Sequence, residues 1–563
     1  MLKQTNRPNF ATLLDAITLH DGDEARAAII YLETEQPAVV VSRPGFRRAV
    51  TTYAAALRHM GLRPGDLIII AHTQNLESIF AFWGALLVGA IPAMFPTLTE
   101  KLDPDIYMGS MAELTRFSNV QAILTTDEFA PQLAGHVPCP VYGSGQLAAS
   151  ITAAELADFV PAAPAPAGIA FLQHSSGTTG LQKGVALSHQ AVLNQLATYS
   201  DAIQLSDKDV IVSWLPLYHD MGLIAGFLLP LFQGVPLVLM SPFDWVKHPA
   251  LLFQAIHHYR GTLCWLPNFA YNHCARRIRQ RDTEQLSAAS MRLFINCSEP
   301  VRAESHALFL ERFAANGVTP AMLGVSYAMA ENTFAVTQTP PGREPILDTI
   351  DQHALEQERR ARPVPAHHPQ AVAKVACGPP IPGTAVRVLD KAGHPLPERH
   401  VGELAIRSSY MLSEYYRRPD LHPFHDGWFR TGDMGYLAGD EVYIIGRSKD
   451  LIINAGKNVY PQDIEAVVNT IPGIHPGRAV VFGVPDQREG TELIAVVAET
   501  DELDPAGYKT TVKAIRQEVA RQTTVTISYV QLVGPKWLIK TSSGKIARAA
   551  NREKWLAERN EAA

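Results

Sequence analysis

Cysteine is scarce and unpaired in this chain of 563 residues. The five cysteines, Cys139, Cys264, Cys274, Cys297 and Cys377, are odd in number, scattered, and without the paired spacing of metal ligands. That excludes a disulfide framework and a cysteine–zinc site, and it suits a reducing, cytoplasmic compartment. Met1 to Phe10 lack the apolar centre of a secretory signal, so secretion is not expected. Surplus positive charge is also missing. The net charge is −6 with acids and bases interspersed, which leaves no electrostatic footprint for nucleic acid or an anionic membrane surface. No apolar run stays unbroken long enough to span a bilayer. Gly84, Gly89 and Pro92 interrupt Ser78 to Thr97, and Gly226, Pro230, Gly234 and Pro236 interrupt Met221 to Phe243; both stretches suit a buried helix, turn and strand better.

What is present is ample apolar material, 47% of the chain, and length for about two to four domains. From about Leu67 to Ala335, short apolar runs alternate with helix-length amphipathic segments, the pattern of mostly parallel sheets covered by helices. Asp209 to Leu215 and Leu263 to Leu266 read as strands, Pro249 to Tyr259 as a helix stopped by Gly261, and Arg302 to Asn316 as a helix capped by Gly317. Val160 to Gly168 is an Ala/Pro linker. Thr339 to Ala373, rich in Pro, Arg, Glu and His, reads as an irregular insertion with one short helix near Asp351 to Arg360. Thr384 to Leu389 and Gly402 to Arg407 then read as strands of a small β subdomain. Beyond Arg447 the pattern changes to short strands, a helix from Tyr508 to Arg521 and a basic amphipathic tail. The expected fold is therefore α/β: a large N-terminal domain, 1–448, and a small mobile α+β C-terminal domain, 449–563, with the boundary at Lys449.

The densest chemical signal is the run His174-Ser175-Ser176-Gly177-Thr178-Thr179-Gly180-Leu181-Gln182-Lys183-Gly184. Glycines allow backbone N–H groups close to phosphate oxygens, hydroxyls add donors, and Lys183 neutralises charge. A P-loop would need Gly-Lys followed by Ser or Thr, and Lys183 lies between Gln182 and Gly184. The apolar lead-in Ile169 to Gln173 and the helical segment His189 to Ile203 place the loop at a strand-to-helix junction. A surface loop of small residues is the alternative for this run alone.

Three further segments fit a nucleotide. Ser326-Tyr327-Ala328-Met329-Ala330-Glu331 sets an aromatic face for a purine, Tyr327, beside a carboxylate for magnesium, Glu331. Thr431-Gly432-Asp433 offers a carboxylate to ribose hydroxyls, and Gly446-Arg447 adds a cation; taken singly, Asp433 reads equally as a turn cap. Thr541-Ser542-Ser543-Gly544-Lys545 presents a lysine after a tight turn, where a solvated lysine is the commoner outcome.

In this order, and with Tyr218-His219-Asp220 and Gly446 to Asp450 between them, these motifs resemble the adenylate-forming superfamily of acyl-CoA synthetases, luciferase-like enzymes and peptide-synthetase adenylation domains. The resemblance runs from about residue 10 to 555 and is closest to the fatty acyl-AMP ligases, through Phe171-Leu172-Gln173, Tyr218-His219-Asp220-Met221-Gly222, Pro267-Asn268-Phe269-Ala270-Tyr271, Ser298-Glu299-Pro300-Val301-Arg302 and Tyr460-Pro461-Gln462-Asp463-Ile464-Glu465. The long connection from Glu331 to Gly378 is similar to that branch too.

The resemblance implies ATP-dependent conversion of a carboxylic acid to acyl-AMP, with Mg2+ near Thr178 and Glu331, then transfer to a phosphopantetheine thiol. It assigns ATP to Ser175, Ser176, Gly177, Thr178, Thr179, Gly180, Lys183, Ser298, Glu299, Pro300, Tyr327, Asp433 and Arg447, catalysis to Lys545, His219 and Glu331, the acyl pocket to Trp214, His219, Trp265, Asn268 and Phe269, and the hinge to Lys449. Ala328 stands where relatives carry glycine. Trp265 and Leu266 stand where small residues are common, which implies a short or oddly shaped acyl tunnel. The insertion implies an acyl carrier protein as acceptor, separate because the chain stops at Ala563, with CoA as the alternative and loss of catalysis as a remoter one.

Overall fold

The computed structural model describes residues 10–17, 26–72, 76–99, 104–174, 183–454, 457–486, 491–501, 504–523, 525–541 and 544–562. Two seven-stranded sheets form the large domain. In the first, Leu323–Val325, Leu293–Asn296, Leu263–Leu266, Ile211–Ser213, Leu237–Met240 and Ala27–Leu32 lie side by side in parallel, with Val39–Ser42 antiparallel at the edge. In the second, Ile169–His174, Ile91–Phe95, Leu67–Ala71, Ala122–Thr125 and Val141–Gly143 are parallel, and Gly184–Ser188 and Glu414–Tyr415 add antiparallel strands. Strands such as Leu67–Ala71 are apolar and buried throughout because helices cover both faces.

The helix Arg43–His59 shows how locally the elements are determined. Ser42 accepts from the Gly45 N–H at 3.2 Å, Pro44 occupies the first turn, and Phe46, Val50, Tyr53 and Leu57 recur at helical spacing as its buried stripe. It packs on Leu76–Leu87, where a Cβ at Gly84 would come within 2.7 Å of Tyr53, so only glycine permits the approach. Both uncharged stretches are buried helix, turn and strand: Leu76–Leu87 with Ile91–Phe95, and Met221–Leu228 with Leu229–Gln233 and Leu237–Met240. Among the described residues no helix is long and apolar enough to cross a membrane.

A smaller sheet of Ala385–Leu389, Gly402–Arg407, Trp428–Ala438, Phe424–His425 and Glu441–Arg447 follows. The segment read as an irregular insertion is more ordered than expected. Leu347–Asp351 and Ala371–Val375 pair as an antiparallel ribbon, and the short helix is a π-helical turn at Ala354–Glu358. Composition concealed this because the Pro- and His-rich residues lie in the connection between the ribbon's two strands.

After the 3-10 turn Ser448–Asp450 the chain builds a separate sheet. Ile474–Asp486 and Thr491–Thr500 pair antiparallel, and Tyr529–Val533 runs parallel to the latter. Pro461–Val468 and Pro505–Gln522 cover one face through Ile464, Val467, Ile515 and Val519. Arg548–Ala562 covers the other, where the Trp555 ring lies 5.6 Å from Phe482.

Candidate functional site

Three elements meet at Asp433. The strands Trp428–Ala438 and Glu441–Arg447 place Asp433 directly opposite Arg447, and Arg447 Nε lies 3.1 Å from Asp433 Oδ1. Tyr327, just beyond the strand Leu323–Val325, donates its hydroxyl to Asp433 Oδ2 at 2.6 Å. Burial holds the Tyr327 phenol protonated, far above its ordinary range, so it remains a donor. The turn is capped by Thr431, whose hydroxyl accepts from the Asp433 N–H at 3.0 Å, while Gly432 takes φ 73°. Asp433 itself is therefore not the cap, and its carboxylate faces Tyr327 and Arg447. Ala328 fits where glycine was expected: it bridges Ala335 and is not among the residues with positive φ.

Glu331 sits on the 3-10 turn Ala330–Asn332, and Tyr415 donates to its Oε1 at 3.0 Å. Burial raises the Glu331 pKa. The Lys183 ammonium stands 4.9 Å from the centre of the Tyr415 ring, so one tyrosine touches both the lysine after the phosphate loop and the carboxylate. Burial lowers the Lys449 pKa, with Arg447 and Lys183 adding like-charge repulsion. Lys183, Arg447 and Lys449 thus converge, an arrangement suited to polyphosphate.

The phosphate loop does not open a helix. Ile169–His174 returns as the antiparallel strand Gly184–Ser188, and the helix His189–Ala202 begins only afterwards, capped by Ser188. The two flanking strands form a hairpin pair because Gly184–Ser188, not singled out in the sequence, is apolar enough to fill a sheet position. Ser175, Ser176, Gly177, Thr178, Thr179 and Gly180 lie outside the described residues.

The opposite wall is built on Tyr218-His219-Asp220. Asp220 starts the π-helix Met221–Leu228, accepting from the Met221 N–H at 2.8 Å. Gly222 is required there, since a Cβ would come within 2.1 Å of the Pro216 carbonyl. His219 Nε2 is buried with no hydrogen-bond partner among the described residues. Burial, reinforced by Lys545, drives its pKa down to about 3, so the imidazole is neutral. Burial raises the Asp220 and Glu299 carboxyl pKa values, and Lys545 opposes both shifts. The Lys545 charge also acts on Cys297. Lys545 ends a tight turn in which Thr541 N–H donates to its carbonyl at 2.7 Å and Gly544 adopts φ 81°. The charge of Lys545 thus bears on His219, Asp220 and Glu299 together.

Not all the expected residues share this site. Trp214 stacks on Trp245 with ring centres 3.7 Å apart, and Phe269 meets both edge-on. Trp265 does not join them. Its indole donates to Tyr199 at 2.8 Å, and Tyr199 donates to Gln338 at 2.8 Å, so Trp265 belongs to a separate node of the core. Strand alternation explains this: Trp265 turns toward the helix His189–Ala202. Asn268 is engaged on both sides of its amide, accepting from Asn296 and the Arg302 N–H and donating to Ser305. Glu299 accepts from the Phe269 N–H at 2.8 Å, at the start of the helix Asn268–Arg277. Ser298 precedes it at φ 71°, a conformation that costs a non-glycine residue and clusters at functional sites, and Pro300 is exposed.

The small domain docks through two seams. Asp463 lies 3.3 Å from Lys374 and 3.7 Å from Arg302, and Arg302 also donates to the Gln462 carbonyl at 2.8 Å. At the insertion, Arg359 donates to Asn458 Oδ1 at 3.0 Å and Asn458 donates to the Glu356 carbonyl at 2.8 Å. Beside them Ile350, Leu355 and Ala376 share an apolar cluster with Tyr460 and Leu451. Tyr415, Asp463 and Asn458 were not singled out in the sequence as site or docking residues. Tyr415 stands in an unremarkable Tyr415-Tyr416 pair, and the other two act only through partners distant in the chain.

A family model described as AMP-binding enzyme matches residues 25–416. The chain is 31% identical to the long-chain-fatty-acid–AMP ligase FadD26 of Mycobacterium marinum, over 88% of each chain. It is 30% identical to the medium-chain-fatty-acid–[acyl-carrier-protein] ligase JamA of Moorena producens, over 98% of this chain and 96% of that one. A solved structure from a study of fatty acyl-adenylate ligases from E. coli and L. pneumophila superposes with a TM-score of 0.90 at 28% identity, covering 98% of this chain and 99% of that one.

Proposed function

Because this chain belongs to the AMP-binding enzyme family, we propose that it activates a fatty or related carboxylic acid as acyl-AMP and passes the acyl group to the phosphopantetheine thiol of a separate acyl carrier protein. In the first step a carboxylate oxygen attacks the α-phosphorus of ATP, the bond to the bridging oxygen breaks, and pyrophosphate leaves. In the second the thiol sulfur attacks the acyl carbonyl, AMP leaves, and the thiol proton is released.

What carries this reading is that the Lys545 charge bears on His219, Asp220 and Glu299 in a chain whose Tyr327, Asp433 and Arg447 side chains bond one another. A carboxylate is repelled by a phosphate, so the barrier is largely electrostatic. Lys545 bridges the two anions. Asp433 takes the ribose hydroxyls, Tyr327 supports the adenine, and Lys183 with Arg447 faces the phosphates. Neutral His219 lines the carboxylate end without adding charge. One carboxylate, Glu331, and the loop threonine Thr178 suit a magnesium ion brought in on the phosphates: among the described residues no group of three or more His, Cys, Asp or Glu could hold a resident ion. When bound, that ion would neutralise the departing pyrophosphate.

Lys449 is the hinge in this reading, and 1–448 and 449–563 are the moving bodies. The insertion's docking at Asn458 and Tyr460 favours a carrier protein over CoA, since it biases how far the small domain turns. Five free cysteines, four of them buried, suit a cytoplasmic protein. The test is incubation with ATP, a panel of carboxylic acids and either CoA or a holo-carrier protein, with products identified by mass spectrometry. Acyl-AMP and acyl-carrier are expected. Efficient acyl-CoA formation would replace the carrier reading with a CoA ligase, and absence of any adenylate would overturn both.

A further inference from the structure

Arg548 opens the helix Arg548–Ala562, with Ile546 and Ala547 between it and Lys545. Its guanidinium is committed on every side. Nη1 lies 2.6 Å from Asp450 Oδ2, Nη2 lies 2.8 and 3.0 Å from the two oxygens of Glu465, and Nε donates to the Val481 carbonyl at 2.8 Å. The Val481 N–H returns a bond to Glu465 at 2.9 Å. The partners lie on three elements: the turn Ser448–Asp450, the helix Pro461–Val468 and the strand Ile474–Asp486. Asp450 follows the candidate hinge residue Lys449 directly.

The segments flanking the lysine turn are tied to the body of the domain as well: Asn551 accepts from the Ile539 N–H and donates to its carbonyl, each at 2.8 Å, and Ile546 packs against the cluster of Val480, Phe482 and Trp555. The turn's own ladder is one bridge, Lys540 to Ile546, with Ala547 N–H donating to the Ile539 carbonyl at 3.0 Å. A planar guanidinium bonded through all three nitrogens, three residues away, is a rigid local anchor, because it presents donors in a fixed fork. We propose that Arg548 is a positioning residue for the first half-reaction: it ties the Lys545 turn to Asp450, so that rotation at the domain junction is delivered to the Lys545 ammonium without slack. This rests on the proposed role of Lys545 and on the hinge at Lys449. Arg548 touches no reactant; it acts through Lys545.

The two half-reactions separate this role from simple stabilisation. Arg548→Lys keeps the charge but loses the fork, and Asp450→Asn keeps the shape but loses one charge; both are made in the full chain alongside Lys545→Ala. Acid-dependent pyrophosphate release should fall about 10²-fold in kcat for Arg548→Lys, as expected for a reacting group displaced by about an ångström. It should fall less for Asp450→Asn. The KM for ATP should stay within about threefold, and acyl transfer from supplied acyl-AMP to the thiol should stay near wild type, because neither needs Lys545 in place. Loss of both half-reactions in proportion to a lowered Tm, or unchanged pyrophosphate release in both variants, would overturn the proposal. If Lys545→Ala itself releases pyrophosphate at the wild-type rate, it is the underlying reading of the site that has failed.

Discussion

The two halves of the candidate site are held in different ways. On the nucleotide side, Tyr327, Asp433 and Arg447 bond one another, Tyr415 bonds Glu331, and every one of these residues precedes the domain junction. On the proposed carboxylate side, His219 Nε2 has no partner among the described residues, and the cation whose charge acts on it, Lys545, lies beyond the domain junction. One half is organised by residues before the domain junction alone, so in the proposed function ATP would be held before closure. In the proposed function the other is complete only when Lys545 is present, so chemistry would wait for the small domain.

The comparison breaks most visibly at Lys545. Lys545→Ala should lower pyrophosphate release by roughly 10² to 10³, the cost of one preorganised donor, while leaving ATP binding and transfer from supplied acyl-AMP nearly unchanged. Asp433→Ala tests the other half: ATP should bind about 10-fold or more weakly by calorimetry, as expected for loss of a charged hydrogen-bond partner, with Tm reported alongside because Arg447 loses its mate. Unchanged affinity in a folded variant would remove the nucleotide role. Shortening the ribbon between Asp351 and Ala371 should raise CoA-ester formation several-fold relative to carrier loading with pyrophosphate release largely kept, since no proposed ATP ligand lies within it.

Asp463→Asn should have a smaller effect, a fall of about two- to fivefold in pyrophosphate release, the scale of a partly exposed ion pair. The mildest perturbation is acid. His189 accepts from the Leu13 N–H through Nδ1 at 3.2 Å, and burial lowers its pKa to about 4. The folded state therefore binds fewer protons than the unfolded state between about pH 6.5 and 4, and stability falls as pH drops through that window. His174, His219 and His306 shift in the same direction. Thermal melts from pH 7.5 to 5 should show a declining Tm before any change in the rate of the half-reactions measured at pH 7.5.

Much of the fold was legible because it is written in local patterns. The strands at Leu263–Leu266 and Gly402–Arg407 and the helices Ala250–Tyr259 and Ala303–Phe313 fall within a residue or a few of where periodicity and glycine stops put them. Motif order assigned Tyr327, Asp433 and Arg447 to one nucleotide; that these side chains bond one another was not read from it. The errors have a common physical origin. A hairpin return at Gly184–Ser188 and a ribbon at Leu347–Asp351 owe their structure to distant partners, which a window of local sequence does not contain. The bond from Trp265 to Tyr199 was likewise not legible, because the side to which a strand residue points is set by alternation. Asp463, Asn458 and Arg548 are ordinary charged or polar residues whose importance lies in tertiary contacts alone.

The two docking seams also differ in substance. One is charge, with Asp463 between Lys374 and Arg302; the other is largely oil, with Ile350 and Leu355 of the insertion against Tyr460 and Leu451. Dissolved ions act on these in opposite senses. Screening loosens the charged seam at any added electrolyte, while salting-out anions such as sulfate tighten the apolar one. Chloride and sulfate at equal ionic strength are therefore tools for prising open one edge of the interface while clamping the other, and under the proposed function the identity of the anion would become a handle on which half-reaction is favoured.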